Sequence, residues 1–333
     1  MKHTRRIALA ALGSMTAIAT LASPAAWGQT TTAAFPNRAI RIIVNYPPGG
    51  PTDLTARTVA PKMGELLGQQ VIVDNRPSAS GVIGTQAVAK AAPDGHTLMN
   101  SSSGHTSSIA ATQGAKLPFD PFRDLTPISL LVKQTQMMIA HPSLGAKNVQ
   151  DVVRIAKARP GEISYGSVGA GGTGHLALEL LCLLADIRMV HIPYKGTSPA
   201  MTDLLAGRVQ LMLNSMPTVL PYVKSGKLVG LSVGTTTRNP AAPDVPTMIE
   251  SGFPGWEVLT WYGMFGPAKL PQPIVTRLNT TIQQTLTDPE VARILASQGA
   301  EPGGSSPEAL AKLMRDEYER WTRVIREAKI TLE

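Results

Sequence analysis

Two successive series of short β-rich runs and helix-spaced segments follow one another along this chain, and that alternation restricts it to an α/β architecture with parallel strands, built twice. In the first series, residues 39–45 form a strand ending at a Pro-Gly loop. Leu54, Val59, Met63 and Leu67 then share a helical face over 53–67, with Pro61 expected to kink it. Residues 70–74 are strand-like, 82–91 helical and 97–101 a third short strand. After a long strand-like segment at 127–140 the pattern restarts: helix 149–158, strand 162–167, apolar helix 173–185, strand 188–192, helix 199–206, and strands 209–214 and 227–234. A strand at 259–265 leads to helices at 271–287, 289–298 and 307–328. The last is charged and amphipathic, suited to pack across the outside of the first unit.

A length of 333 residues suits two lobes or one large domain, and 43% hydrophobic residues are ample for a core. Charged residues are only 16%, against about 25% in a typical domain, which argues against a coiled coil. The single cysteine excludes a disulfide framework and a Cys-based zinc site.

Residues 1–28 read as a secretory signal peptide. Lys2, Arg5 and Arg6 precede a weakly apolar stretch, and small residues at Ala26 and Gly28 suit cleavage near Gly28. Its removal takes away three of the positive charges behind the formal +8. The remaining Lys and Arg are scattered, with no nucleic-acid footprint. A mildly basic, exported and soluble protein is expected, one that attracts small anions.

Ligands of α/β sheets sit beyond the carboxyl ends of the strands, so the strand-to-helix turns carry the functional information. In the first, Tyr46-Pro47-Pro48-Gly49-Gly50-Pro51-Thr52-Asp53, the glycines permit close backbone approach and the helix start favours an anion. Asp53 would repel that anion if it pointed inward, and reads as a helix cap paired with Arg57. The second, residues 166–175, is another anion-friendly helix start, where Thr173 and His175 could donate hydrogen bonds. His105, after a run of serines, either reaches the cleft or faces solvent.

Three patterns compete with simple anion binding. Gly169, Gly171 and Gly174 satisfy the dinucleotide fingerprint, but no acidic residue closes the next strand. Residues 230–234 match the nucleophile elbow of hydrolases with Ser232 at its centre, yet no helix is expected after it. A periplasmic carboxylester hydrolase is therefore the alternative function, testable by ester turnover and Ser232→Ala. The dispersed histidines form no metal pattern, and Cys182 reads as a small buried hydrophobe. No metal or cofactor is expected.

These turns, in this order behind an export signal, resemble the substrate-binding proteins of tripartite tricarboxylate transporters, the Bug-type receptors. The resemblance runs from Phe35 to about Ile325. It is carried by the 46–53 loop with Ala56-Arg57, by Val73-Asp74-Asn75-Arg76-Pro77, and by Ala92-Pro93-Asp94-Gly95-His96-Thr97. Leu117-Pro118-Phe119-Asp120-Pro121, Tyr165-Gly166-Ser167, Pro193-Tyr194-Lys195-Gly196 and Asp244-Val245-Pro246-Thr247 complete it. It implies a periplasmic-binding-protein (Venus-flytrap) fold: two α/β lobes, 36–136 plus 260–333 and 137–259, joined by crossing hinge strands. It further implies capture of a small organic carboxylate between the lobes and delivery to the large and small membrane subunits of a transporter, by a monomer. A receptor feeding a sensor is not separable from this by sequence.

Carried over by position, the first lobe would bind through Tyr46, Gly49, Gly50, Thr52 and Asp53, with Ser101, Ser103 and His105. The second would use Gly169, Gly171, Gly172, Thr173 and His175, then Tyr194, Gly196, Thr197 and Asn214. Trp256, Trp261 and Tyr262 could stack on an aromatic ligand or simply pack the hinge. The chain departs from the family pattern at Ser78-Ala79-Ser80-Gly81, where a Gly-rich stretch is frequent, and at Gly174.

Overall fold

The computed structural model describes residues 35–78, 81–254, 256, 258–327 and 330, so the expected signal peptide lies outside the described residues. The first series forms as β1 (Ile40–Val44), α1 (Pro51–Leu67), β2 (Val71–Asn75), α2 (Val82–Ala89) and β3 (Thr97–Ser102). A π-turn at Gly104–Ser108, α3 (Ile109–Gln113) and α4 (Pro121–Asp124) lead into the long β4 (Leu125–Ala140). The second series is α5 (Val149–Ala158), β5 (Ser164–Ser167), α6 (Thr173–Ala185), β6 (Val190–Pro193), α7 (Thr197–Leu205), β7 (Leu211–Ser215), α8 (Met216–Lys224) and β8 (Val229–Val233). The chain returns through β9 (Leu259–Pro267) to α9 (Gln272–Thr287), α10 (Pro289–Ser297), β10 (Ala300–Pro302) and α11 (Pro307–Glu327).

Strand order is β2-β1-β3-β9-β4-β7-β5-β6, with β8 and β10 also on β4. β1, β2 and β3 run parallel, as do β5, β6 and β7. The strands that cross between the two series are antiparallel. β9 pairs with β3 and with β4 up to Thr135, and beyond that point β4 pairs with β7 and β8. This is the two-lobed α/β arrangement joined by crossing strands.

Local chemistry accounts for the elements. β1 is buried on both faces except at Arg41, as a parallel strand covered by helices requires. α1 starts at Pro51, where proline's fixed φ suits the first turn, runs through Pro61 and stops at Gly68, whose φ of 68° is left-handed. α8 is not among the helices expected from the sequence, where Pro217 and Pro221 interrupt 216–224. Pro217 instead occupies the first turn, where no N–H is needed, and the helix continues past Pro221.

The apolar core is divided between the two series. Ile42, Val59, Met63 and Leu98 belong to one cluster with α9 and α10, and Tyr165, Leu176, Leu178 and Leu213 to another. α11 takes part in both halves rather than covering only the first. Leu310 and Met314 pack with Ile43, Met99 and Phe265, whereas Trp321 and Val324 join the cluster of Tyr165 and Leu176. No described helix is long and apolar enough to cross a membrane.

Candidate functional site

A cavity of about 160 Å³ opens where the carboxyl ends of both strand series meet. Four helices, α1, α6, α7 and α8, begin at its wall, with Gly50, Gly172, Gly196 and Ser215 as their N-caps. None of the four has a side-chain cap, whereas α5 and α10 begin on Asn148 and Asp288 side chains. The first-turn N–H groups and the positive ends of four helix dipoles therefore converge on one space.

The 46–50 loop is tied from behind. Asp53 is 2% exposed; its Oδ2 accepts from Gly49 N at 2.9 Å and Arg57 Nε at 3.0 Å, and its Oδ1 from Asn75 Nδ2 at 2.9 Å. Burial raises the Asp53 carboxyl, but the bonds from Arg57, Gly49 and Asn75 outweigh it and hold the group below the usual carboxylate range. Asn75 Nδ2 also donates to Tyr46 O at 3.1 Å. The acid thus faces away from the cavity and braces the loop. It pairs with Arg57 as expected but does not cap α1, whose N-cap is Gly50 without a side-chain cap, because its carboxylate is turned back onto Gly49 N. Asp53→Ala should destabilise the fold by about 2–3 kcal/mol, because it leaves Gly49 N and Asn75 without their acceptor while Arg57 regains water. Denaturant midpoints of the two proteins check this, and unchanged stability would contradict it.

Tyr46 lines the cavity, its hydroxyl 3.3 Å from Ser102 Oγ and 3.0 Å from His105 Nδ1. Side chains alternate along β3, so Ser102 faces the cavity while Ser101 turns away and accepts from Asn45 Nδ2. Ser103 and His105 are buried off the lining. Gly104 does reach the cavity; a Cβ there would stand 3.2 Å from Thr173 Oγ1, so the two halves touch at this point.

At the α6 start, Gly172 and Thr173 line the cavity, and Gly169 and Gly171 shape the loop with φ of 146° and 77°. Gly174 borders it too. A Cβ there would lie 3.0 Å from Leu213 O, so the last glycine of the dinucleotide-like motif serves close packing of α6 on β7. His175 sits beneath the loop, off the lining. Its Nδ1 accepts from Gly171 N at 3.0 Å, and its ring stacks on His191 with centroids 3.8 Å apart. Burial, and then the neighbouring ring, push His175 down to about 3, and burial pushes His191 down to about 4, so both rings are neutral near pH 7. His191 Nε2 lies 2.6 Å from Ser167 Oγ, which donates to Gly169 O.

Gly196 and Thr197 line the cavity, whereas Tyr194 anchors the turn by donating its hydroxyl to Asp203 at 2.8 Å. Gly50, Thr52 and Asn214 are lining residues; Gly49 is not. Several lining residues were not singled out from sequence: Lys195, Ser215, and the crossing-strand residues Gln136 and Thr260. Of the three aromatic residues near the return crossing, Tyr262 faces the cavity. Trp256 donates to Ala177 O and Trp261 to Glu317.

Two buried hydroxyls at the wall, Thr173 Oγ1 and Ser215 Oγ, have no hydrogen-bond partner among the described residues. Such groups are costly unless a ligand or water meets them. Among the described residues Lys195 is the one charged residue of the lining, and no carboxylate belongs to it. Ser232 lies within β8, fully buried opposite Met138, and no helix follows it, so it cannot present a nucleophile. Burial, then Glu179, push the Cys182 thiol up to about 12, which leaves it unreactive. No group of three potential metal ligands occurs among the described residues.

Residues 55–330 match the family model described as tripartite tricarboxylate transporter family receptor. The protein BugT of Bordetella pertussis is 36% identical over 319 residues, covering 96% of each chain. Among solved structures, Rpa4515 of R. palustris with adipate is 34% identical with a TM-score of 0.84, covering 89% of this chain and 99% of that one. MatC from Rhodopseudomonas palustris with bound malate is 31% identical with a TM-score of 0.81, covering 87% and 100%.

Proposed function

This chain belongs to the tripartite tricarboxylate transporter receptor family, and we propose that it acts as a periplasmic receptor that captures a small organic carboxylate and hands it to the membrane subunits of such a transporter. The observation that carries this reading is the cavity itself: four uncapped helix starts, two hydroxyls awaiting partners and one lysine, with every nearby acid turned away. An anion is the species such a site stabilises. Relatives bearing adipate and malate supply the organic class.

The first lobe, 36–136 plus 260–333, and the second, 137–259, would close on the ligand about β4 and β9. A ligand that touches both lobes only when they are closed shifts the population toward that form, which then presents a composite surface to the large and small membrane subunits. Tyr46, Gly50, Thr52, Gly172, Thr173, Gly196, Thr197 and Asn214 are the proposed contacts from the sequence reading that border the cavity. Gly49, Asp53, Ser101, Ser103, His105, Gly169, Gly171, His175 and Tyr194 would act by shaping and bracing the loops. Export with cleavage near Gly28, a monomeric state and binding without turnover complete the proposal.

A thermal-shift screen of the chain from Gln29 tests it, using citrate, aliphatic dicarboxylates, acidic amino acids, nicotinate and benzene dicarboxylates, with phosphate and NAD as controls. At 100 times its dissociation constant a bound carboxylate should add about 2.7 kcal/mol of stability. A flat response to every carboxylate, from protein shown by mass spectrometry to carry no ligand, would refute it.

A further inference from the structure

Lys195 stands apart from the rest of the cavity wall. The three helix starts of the second half follow strands β7, β5 and β6, which are neighbours in that order. Adjacent strands are about 4.8 Å apart, so these starts form a row about 10 Å long. Its inner end, beside the crossing strand β4, holds Asn214 and Ser215; Thr173 lies in the middle. β6 is the sheet edge, so Lys195, between β6 and the α7 cap Gly196, occupies the outer end. Among the described lining residues, the two unpartnered hydroxyls belong to the inner and middle positions, and the one full charge to the outer one.

The backbone around Lys195 is fixed. Tyr194 N donates to Ser167 O at 2.9 Å, and Gly196 has a φ of 119° that brings the turn toward Pro47 of the opposite half. Asp203, which the neighbouring Tyr194 reaches, is engaged: it accepts from Tyr194 at 2.8 Å and from Arg208 at 2.7 Å. Among the described residues Lys195 makes no ion pair. A cation carried at one end of a row of neutral donors discriminates by the charge at the far end of the ligand.

We infer that Lys195 is the specificity-determining residue for a second anionic group, so that the site prefers a ligand charged at both ends over one with a single carboxylate. The inference rests on the carboxylate-receptor reading above. A monocarboxylate fills the inner positions and leaves Lys195 in water. A dicarboxylate spans the row and pairs its outer carboxylate with the ammonium group, while the α7 dipole adds in the same sense.

Matched ligand pairs test this by calorimetry: adipate against hexanoate, and L-malate against 3-hydroxybutanoate, on the wild type, Lys195→Met and Lys195→Arg. The wild type should prefer the dianion of a pair. Lys195→Met should lower dianion affinity about tenfold while the monoanion is unaffected, and Lys195→Arg should restore most of the preference. Lys195 is exposed in a turn, so the Met variant keeps its fold. Equal losses for both members of a pair, or no loss, would overturn the inference. So would a wild type that answers only to monocarboxylates, which leaves the receptor reading standing. No response to any carboxylate in the wider screen removes the receptor reading itself.

Discussion

Stability should fall steeply between about pH 6 and pH 4, with two stacked imidazoles as the main cause. His175 and His191 have folded-state values of about 3 and about 4 against an ordinary 6.5, because burial disfavours their charged forms. In this range the unfolded chain binds protons that the folded chain refuses. The stability these neutral rings allow is whole above 6.5 and is lost as pH falls toward their folded values. The slope is at most about 1.4 kcal/mol per pH unit for each ring. Carboxylates held low by their partners, such as Asp53 and Asp94, act in a separate window below their ordinary 3.8. Glu317 works in the opposite sense: burial raises its carboxyl, so the folded state keeps that proton longer and offsets part of the loss. Denaturant titrations at pH 7, 6, 5 and 4 should show the decline, and His191→Phe, which keeps a flat ring against Tyr165 and His175, should roughly halve its slope. An unaltered slope in that variant would assign the acid sensitivity elsewhere. Because Gly171 N donates to His175 Nδ1, protonation there also removes a bond that shapes the α6 loop.

What was legible in the sequence is what local chemistry dictates. Gly49 and Gly171 have left-handed φ, Pro51 opens its helix, and the two Gly-rich turns lie at strand ends, all features of a few consecutive residues. The parity of β3 was not legible: choosing Ser101 and Ser103 over Ser102 requires knowing which face of the strand meets the cavity, and both faces are buried. The crossing strands were harder still. Gln136 and Tyr262 are far apart in sequence, and they share the cavity because the paired β4 and β9 both pass its floor. Ser215 was hidden with its helix by Pro217 and Pro221. Lys195 was visible in its turn but silent, since its meaning comes from the lack of another charged residue among the described lining residues of the cavity. His175 looked like a ligand donor because of its place at a helix start, and only the tertiary fold reveals the His191 ring beneath it.

Trp321→Ala should cost about 3–5 kcal/mol, the usual range for deleting a fully buried aromatic side chain. A helix of 21 residues is about 30 Å long, enough for α11 to reach from the core of one half to that of the other. Leu310 and Met314 anchor its first turns on Met99 and Phe265, and Trp321 with Val324 anchors its last on the Tyr165 cluster. Glu317 sits between these anchors and accepts two indole N–H groups, from Trp261 of β9 at 2.5 Å and from Trp321 at 3.1 Å. Removing Trp321 therefore opens a cavity, releases the end of α11 and strips one donor from a half-buried carboxyl. Trp321→Phe isolates the last of these effects: it keeps most of the apolar contact and should cost about 1–2 kcal/mol. Equilibrium denaturation of both variants distinguishes them; equal costs would mean that the hydrogen bond outweighs the packing, and no cost from alanine would mean that α11 does not hold the halves together. Trp261 directly precedes Tyr262 of the cavity floor, so the same pair of variants reports whether the clamp on the outside sets the geometry of the site within.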